Sequence, residues 1–129
     1  MATPWVWVFP AKLVRVIDGD TVVVEIDKGF EDWGRREIRV ANVNTPELHA
    51  KDAATRDAAQ AAKKFTEKQL TTWSTNSAEK YPLEVRTTKK DSFGRWIGHI
   101  MPVGSTLPEL DLSAALVASG NAVPFMVGK

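Results

Sequence analysis

Two apolar runs, residues 12–17 and 21–27, meet at Asp18-Gly19-Asp20. Asp-Gly between apolar runs is a strong hairpin signal, because Gly accepts a positive φ at no steric cost. Val22, Val24 and Ile26 alternate along the second run and share one face. A third run, residues 35–43, follows a loop with Gly29 and Gly34 and ends before Pro46, which cannot donate to a ladder. Ahead of these, residues 5–9 alternate and belong to the first strand, which the sequence predicts to be interrupted or bent at Pro10. Three strands joined by short connections make a meander, the start of a small barrel or sandwich.

The period then changes. Over 51–73, Ala54, Ala58, Ala61, Ala62 and Phe65 fall at helical spacing, with Lys51, Arg56, Lys63, Lys64 and Lys68 mostly elsewhere. Alanine is the best helix former, so a long helix is expected here, its lysines read first as a wet face. Strands are expected over 83–89 and 95–101. A short helix is expected over about 112–119, with Asp111 as N-cap and Gly120 as its stop. The closing apolar residues read as irregular. Three strands, a helix, two strands and a short helix match an α+β, mainly β, five-stranded Greek-key barrel of the OB type. At 129 residues with no repeat or linker, the whole chain 1–129 reads as one domain.

Composition narrows the chemistry. The absence of cysteine excludes disulfides and thiolate zinc sites, and two histidines are too few for a histidine-rich centre. A divalent ion would have to be held by oxygen. A net charge of +1 does not advertise nucleic acid, so any phosphate-binding surface must be local. Residues 1–10 are too short for a membrane span and lack the pattern of a signal peptide. The chain is therefore expected to act without a membrane, in the cytoplasm or, if a leader has been removed, outside the cell; it is also expected to be a monomer.

Asp18 and Asp20 place two carboxylates at one turn, where they repel unless a cation lies between them, and a hard metal ion is the usual candidate. Turn chemistry alone also accounts for Asp at such a tip. A second polar corner, Asn44-Thr45-Pro46-Glu47, closes the third strand, and Arg39 and Arg95 stand at strand ends. Each has a plainer role open to it: Asn44 as a cap, Glu47 as a loop charge, and the arginines as partners of surface carboxylates. Strict alternation sets Arg39 and Asn44 on opposite faces, so a bulge or the end of the strand must intervene. The turn lacks the spacing of an EF-hand loop, and no phosphate-cradling glycine loop or nucleophile elbow occurs. A two-carboxylate glycosidase built on Asp20 and Glu47 would leave both arginines idle.

Five blocks in order carry a resemblance: Val16-Ile17-Asp18-Gly19-Asp20-Thr21-Val22; Ile38-Arg39 through Val43-Asn44-Thr45-Pro46-Glu47; Phe65-Thr66; Asp91-Ser92-Phe93-Gly94-Arg95; and Ala115-Leu116-Val117 to Gly120. Together they resemble the staphylococcal nuclease family over about residues 12–123. The resemblance implies a five-stranded OB barrel and a calcium-dependent endonuclease that hydrolyses phosphodiesters of DNA and RNA. It implies Ca2+ held by Asp20, position 44 and the Thr45 carbonyl, with Asp18 beside the ion supporting its shell. Glu47 would act on the attacking water, and Arg39 and Arg95 would grip the phosphate. Two residues depart from the family pattern. Asn44 stands where Asp is familiar, which removes one charge and implies calcium binding weaker by about tenfold or more. Phe93 stands at a substrate-facing position where a tyrosine hydroxyl is familiar. The alternative is a non-catalytic OB-type module binding single-stranded nucleic acid. Retention of Glu47 beside both arginines favours the enzyme, since a binding module needs no general base.

Overall fold

A computed structural model describes residues 7–105 and 111–125. The expected strand residues 5 and 6, most of the loop after Ser105 and the last four residues lie outside them.

The alternating stretches form β1 (Trp7–Asp18), β2 (Thr21–Asp27) and β3 (Trp33–Val40), an antiparallel meander. The long helix α1 (Ala53–Thr75) follows, after the two-residue strand β4 (Val43–Asn44). Then come β5 (Leu83–Lys90), β6 (Trp96–Pro102), the short helix α2 (Leu112–Ala118) and β7 (Val123–Pro124). The five long strands close a barrel in the order β1-β2-β3-β6-β5. Closure depends on β3 and β6, which run parallel from Ile38 opposite Trp96 to Val40 opposite Gly98. All other barrel pairings are antiparallel. This is the expected OB-type architecture, with one long and one short helix.

The core is apolar and close-packed. Val22, Val24, Ile38, Val40, Leu83, Val85 and Ile100 point inward with at most 2% of their surface exposed. Leu70 of α1 and Leu112 and Leu116 of α2 complete the same cluster. Burying each such side chain contributes on the order of 1.5–3 kcal/mol, so these residues carry much of the drive to fold. Asp111 caps α2 by accepting from the Ala114 N–H at 2.7 Å, and Gly120 ends it with φ +80°. Among the described residues no helix is long and apolar enough to cross a membrane.

Four expectations need correction. β1 does not break at Pro10. It runs through to Asp18, because Pro10 falls just before pairing with β2 begins at Ala11, where a missing N–H is tolerated. The irregularities of β1 lie instead between Leu13 and Arg15 and between Val16 and Asp18.

The third strand does not continue to 43. A turn at Ala41-Asn42, with Asn42 at φ +63°, ends β3, and Val43–Asn44 pairs with β7 in a separate two-stranded sheet. The chain end read as irregular thus contains a strand. Finally, the buried stripe of α1 is Ala59, Ala62, Thr66 and Leu70, while Ala54, Ala58 and Ala61 face outward. In an alanine-rich helix two adjacent stripes are both small and apolar, and Thr66 was needed to tell them apart.

Candidate active site

The Asp18-Gly19-Asp20 turn lies directly on α1. The Thr66 hydroxyl, fully buried, donates to the Gly19 carbonyl at 2.7 Å. A Cβ on Gly19 would come within 2.8 Å of the Ala62 Cβ and 3.0 Å of the Thr45 methyl. Gly19 does not take a positive φ. It is required for close approach of two chain segments, not for the turn conformation expected of it.

From this turn a hydrogen-bonded chain extends in both directions. Asp20, 7% exposed, accepts at Oδ2 from the Thr45 N–H at 3.1 Å and stands 3.4 Å from Nη2 of Arg39. Its Oδ1 accepts from the Thr21 hydroxyl at 3.3 Å, and that hydroxyl oxygen accepts from Nη1 of Arg95 at 3.3 Å. Arg39, equally buried, donates from Nη1 to the Val40 carbonyl and from Nη2 to the Val43 carbonyl, at 2.7 and 2.8 Å. Nη2 also reaches the Asn44 Oδ1 at 3.2 Å. The turn at Asn42 makes this possible and reconciles Arg39 and Asn44, which simple alternation set on opposite faces. Arg39 therefore pins the polar corner as well as facing it.

Arg95 is positioned by its own turn. Asp91 Oδ1 accepts the N–H groups of Phe93 and Arg95, and Oδ2 accepts from Nε and Nη2 of Arg95 at 2.8 and 2.7 Å. Burial works against the Asp91 carboxylate, but these donors and the guanidinium outweigh it and hold its pKa below the usual value. The exposed Phe93 ring lies 5.4 Å from the Arg95 guanidinium carbon. Glu47 is exposed, and its carboxylate makes no hydrogen bond among the described residues.

The two aspartates behave as a pair. Burial first, then the hydrogen bond and charge of Asp20, push Asp18 up to about 6. Burial also opposes ionisation of Asp20, yet the hydrogen bond from Asp18, the Arg39 charge and the Thr45 N–H hold it below its usual value. The two carboxylates therefore resist carrying both charges at once. Among the described residues no three His, Cys, Asp or Glu side chains lie together as a complete metal cage. Asp20, Asp18, the Asn44 amide oxygen and the Thr45 carbonyl are nonetheless all oxygen donors. A cation beside the pair would relieve the repulsion between the two carboxylates. This donor set fits a hard divalent cation whose remaining positions are filled by water.

Of the residues singled out from the sequence, Asp18, Asp20, Arg39, Asn44, Thr45 and Arg95 belong to one connected network, Phe93 touches it through Asp91 and the Arg95 guanidinium, and the exposed Glu47 side chain makes no hydrogen bond to it. Sequence reasoning missed Thr21, which links Arg95 to Asp20, and Thr66, which holds the turn. It also gave no role to Asp91, whose signal was an opposite charge four residues before Arg95 across a glycine turn.

A closed OB-type barrel thus carries two guanidiniums and a carboxylate pair at one corner. Comparison with known proteins identifies the family. The model of the family described as staphylococcal nuclease homologue matches residues 37–128, which include Arg39, the 44–47 corner and Arg95 and begin after the aspartate turn. The chain is 30% identical over 89 residues to the thermonuclease of Staphylococcus hyicus, covering 69% of this chain and 46% of that protein. It is 34% identical over 86 residues to the thermonuclease of Staphylococcus intermedius, covering 67% and 45%. The chain belongs to the staphylococcal nuclease family, and it spans about half the length of the curated relatives it matches.

Proposed function

We propose that this chain is an endonuclease that hydrolyses phosphodiesters of DNA and RNA and requires calcium. The observation that carries the reading is the unbroken network from Arg95 through Thr21 and Asp20 to Arg39 and Asn44, with the exposed Glu47 two residues after Thr45 in the chain. A phosphodiester gains negative charge as it is attacked. Two preorganised guanidiniums are suited to meet that charge, and removing one such donor typically costs ~10²–10³ in rate.

Arg39 has given three N–H groups to the polar corner, and Nε and one hydrogen of Nη1 have no partner among the described residues. These are the groups it would offer a phosphate oxygen. Arg95, held by Asp91, would present its outer edge to a second oxygen. Glu47 would take a proton from the water whose oxygen forms the new bond to phosphorus, as the bond to the departing sugar oxygen breaks. Asp20, the Asn44 amide oxygen and the Thr45 carbonyl would hold Ca2+, with Asp18 alongside. When bound, the ion supplies positive charge against the phosphate.

The test is cleavage of fluorescent single-stranded DNA and RNA with calcium titrated from micromolar to tens of millimolar, against a chelator control. Cutting that rises with calcium and vanishes with chelator is expected. Binding without cutting at any calcium, magnesium or manganese level would instead identify a non-catalytic module.

A further inference from the structure

A cavity of about 300 Å³ opens at a mouth of the barrel that the site above does not use. Trp7 and Phe9 of β1 and Trp96 of β6 form its walls, and core residues such as Ile38 and Val85 form its floor. Trp7 and Trp96 meet edge to face, with ring centres 5.4 Å apart and planes at 72°.

The charge around the cavity has one sign. Lys28 and Arg36 line its rim, and no carboxylate does among the described lining residues. Lys90 places its ammonium 5.2 Å from the centre of the Trp96 ring. Lys28 pairs with Asp32 at 3.5 Å, but Asp32 is 66% exposed, where such a pair is worth little. Aromatic walls with a cationic rim match the two recurring parts of a single-stranded nucleic acid, a flat base and an anionic backbone.

The cavity lies close to the site along the chain. Ile38 and Trp96 are partners across the parallel β3–β6 ladder, and each is the chain neighbour of a proposed phosphate-binding arginine, Arg39 and Arg95. A strand held at the arginines therefore has the slot within the span of ~4–16 nucleotides that one OB-type fold covers.

We propose that this mouth is a base-binding slot for single-stranded nucleic acid: one base enters between Trp7, Phe9 and Trp96, and Lys28 and Arg36 receive the flanking phosphates. The assignment rests on the nucleic-acid reading above but not on cutting. Its occupant is a nucleotide remote from the scissile bond.

The test is fluorescence anisotropy of a labelled thymidine oligonucleotide of roughly eight nucleotides, with chelator present so that nothing is cut. Trp96→Leu should weaken binding about tenfold, Trp96→Phe should restore most of it, and Arg36→Ala should weaken binding while lowering its salt dependence. Circular dichroism checks that each variant folds. If Trp96→Leu does not, Arg36→Ala and Lys28→Ala carry the same test from the exposed rim.

Binding by folded Trp96→Leu within about twofold of the unaltered protein, or no binding by the unaltered protein, would overturn the slot. With calcium, kcat/KM on a dinucleotide should stay unchanged in Trp96→Leu while that on the longer strand falls. Equal losses on both would mean that Trp96 acts through Arg95 alone, and the slot would fall. Slot-dependent binding with no cutting would leave the slot standing and remove the nuclease reading. Cutting that ignores Trp96 and Arg36 would do the reverse.

Discussion

Arg39 and Glu47 are both proposed to touch the reaction, yet they sit in opposite physical situations. Arg39 is buried and satisfies two backbone carbonyls, the Asn44 amide and the Asp20 carboxylate. Arg39→Met strips Asp20 of its counter-charge in a buried position, a change that typically destabilises by about 3–5 kcal/mol. Urea unfolding should show such a loss for Arg39→Met. Glu47→Gln, at an exposed side chain without a partner, should stay within about 0.5 kcal/mol of the unaltered protein. In cleavage, Glu47→Gln should lose ~10²–10⁴ in rate. An unaltered rate would remove Glu47 from the mechanism.

Asn44 supports a second prediction at this scale. Asn44→Asp adds a carboxylate that keeps the hydrogen bond from Arg39 and raises the charge facing a cation. The calcium concentration for half-maximal cutting should fall about tenfold or more, since calcium affinity follows ligand charge. A midpoint unmoved by the substitution would take position 44 out of the ion's shell.

At the scale of elements, α1 serves as the bed of the Asp18-Gly19-Asp20 turn. Thr66→Val keeps the shape of the side chain but leaves the buried Gly19 carbonyl without its donor, at a cost of about 1–3 kcal/mol. Cutting should fall with it, because the turn carries Asp18 and Asp20. Ala58→Ser, on the outward face of the same helix, should change neither. Thermal unfolding and cleavage of the two variants side by side decide this. Loss of stability with full activity in Thr66→Val would show that the helix does not position the turn.

The contrast explains what the sequence could disclose. The helix itself was legible from its alanine content and period, and so were the three-stranded meander, both later strands and the Asp111 cap. Which stripe faced inward was not, because Ala58 and Ala62 look alike until one of them meets Gly19. The end of β3 was equally hidden. Asn42 takes a positive φ in order to set Val43–Asn44 beside β7, a partner some 80 residues away in the chain. Residue types picked out most members of the candidate network, since carboxylates, an amide and arginines keep their chemistry wherever they sit. Its wiring through Thr21, Thr66 and Asp91 depended on tertiary contacts that no local pattern encodes.

For the whole molecule, pH links distant parts of the barrel. The hydroxyl of Tyr81 donates to Glu25 at 2.8 Å, and Lys12 closes the group at 3.4 Å from the same carboxylate. Burial and then the Glu25 hydrogen bond and charge push the Tyr81 phenol from 10 up to about 12. The hydrogen bond from Tyr81, supported by Lys12, holds Glu25 below its usual value. A raised phenol binds its proton more tightly in the folded state, so its contribution is full below pH 10 and lost as pH rises through about 12.

Glu25, Asp52 and Asp91, all lowered, contribute above the usual carboxylate values of 4.5 and 3.8 and lose that contribution as pH falls through their lowered ones. Asp18, raised from 3.8 to about 6, runs the other way, its contribution declining as pH rises across that interval. Well above 6 and well below 10 none of these groups changes charge, and stability should be level as far as they determine it. Tyr81 is the single tyrosine of the chain, so the tyrosinate absorbance of the folded protein reports it without ambiguity. The expected midpoint is about 12, falling towards 10 in Glu25→Gln, which removes the charge that resists ionisation. The melting temperature of the unaltered protein should decline over the same interval, less steeply in Tyr81→Phe. A tyrosinate midpoint near 10 in the unaltered protein would show that the Tyr81–Glu25 bond does not form in solution, and with it would go the clamp joining β2 to the start of β5.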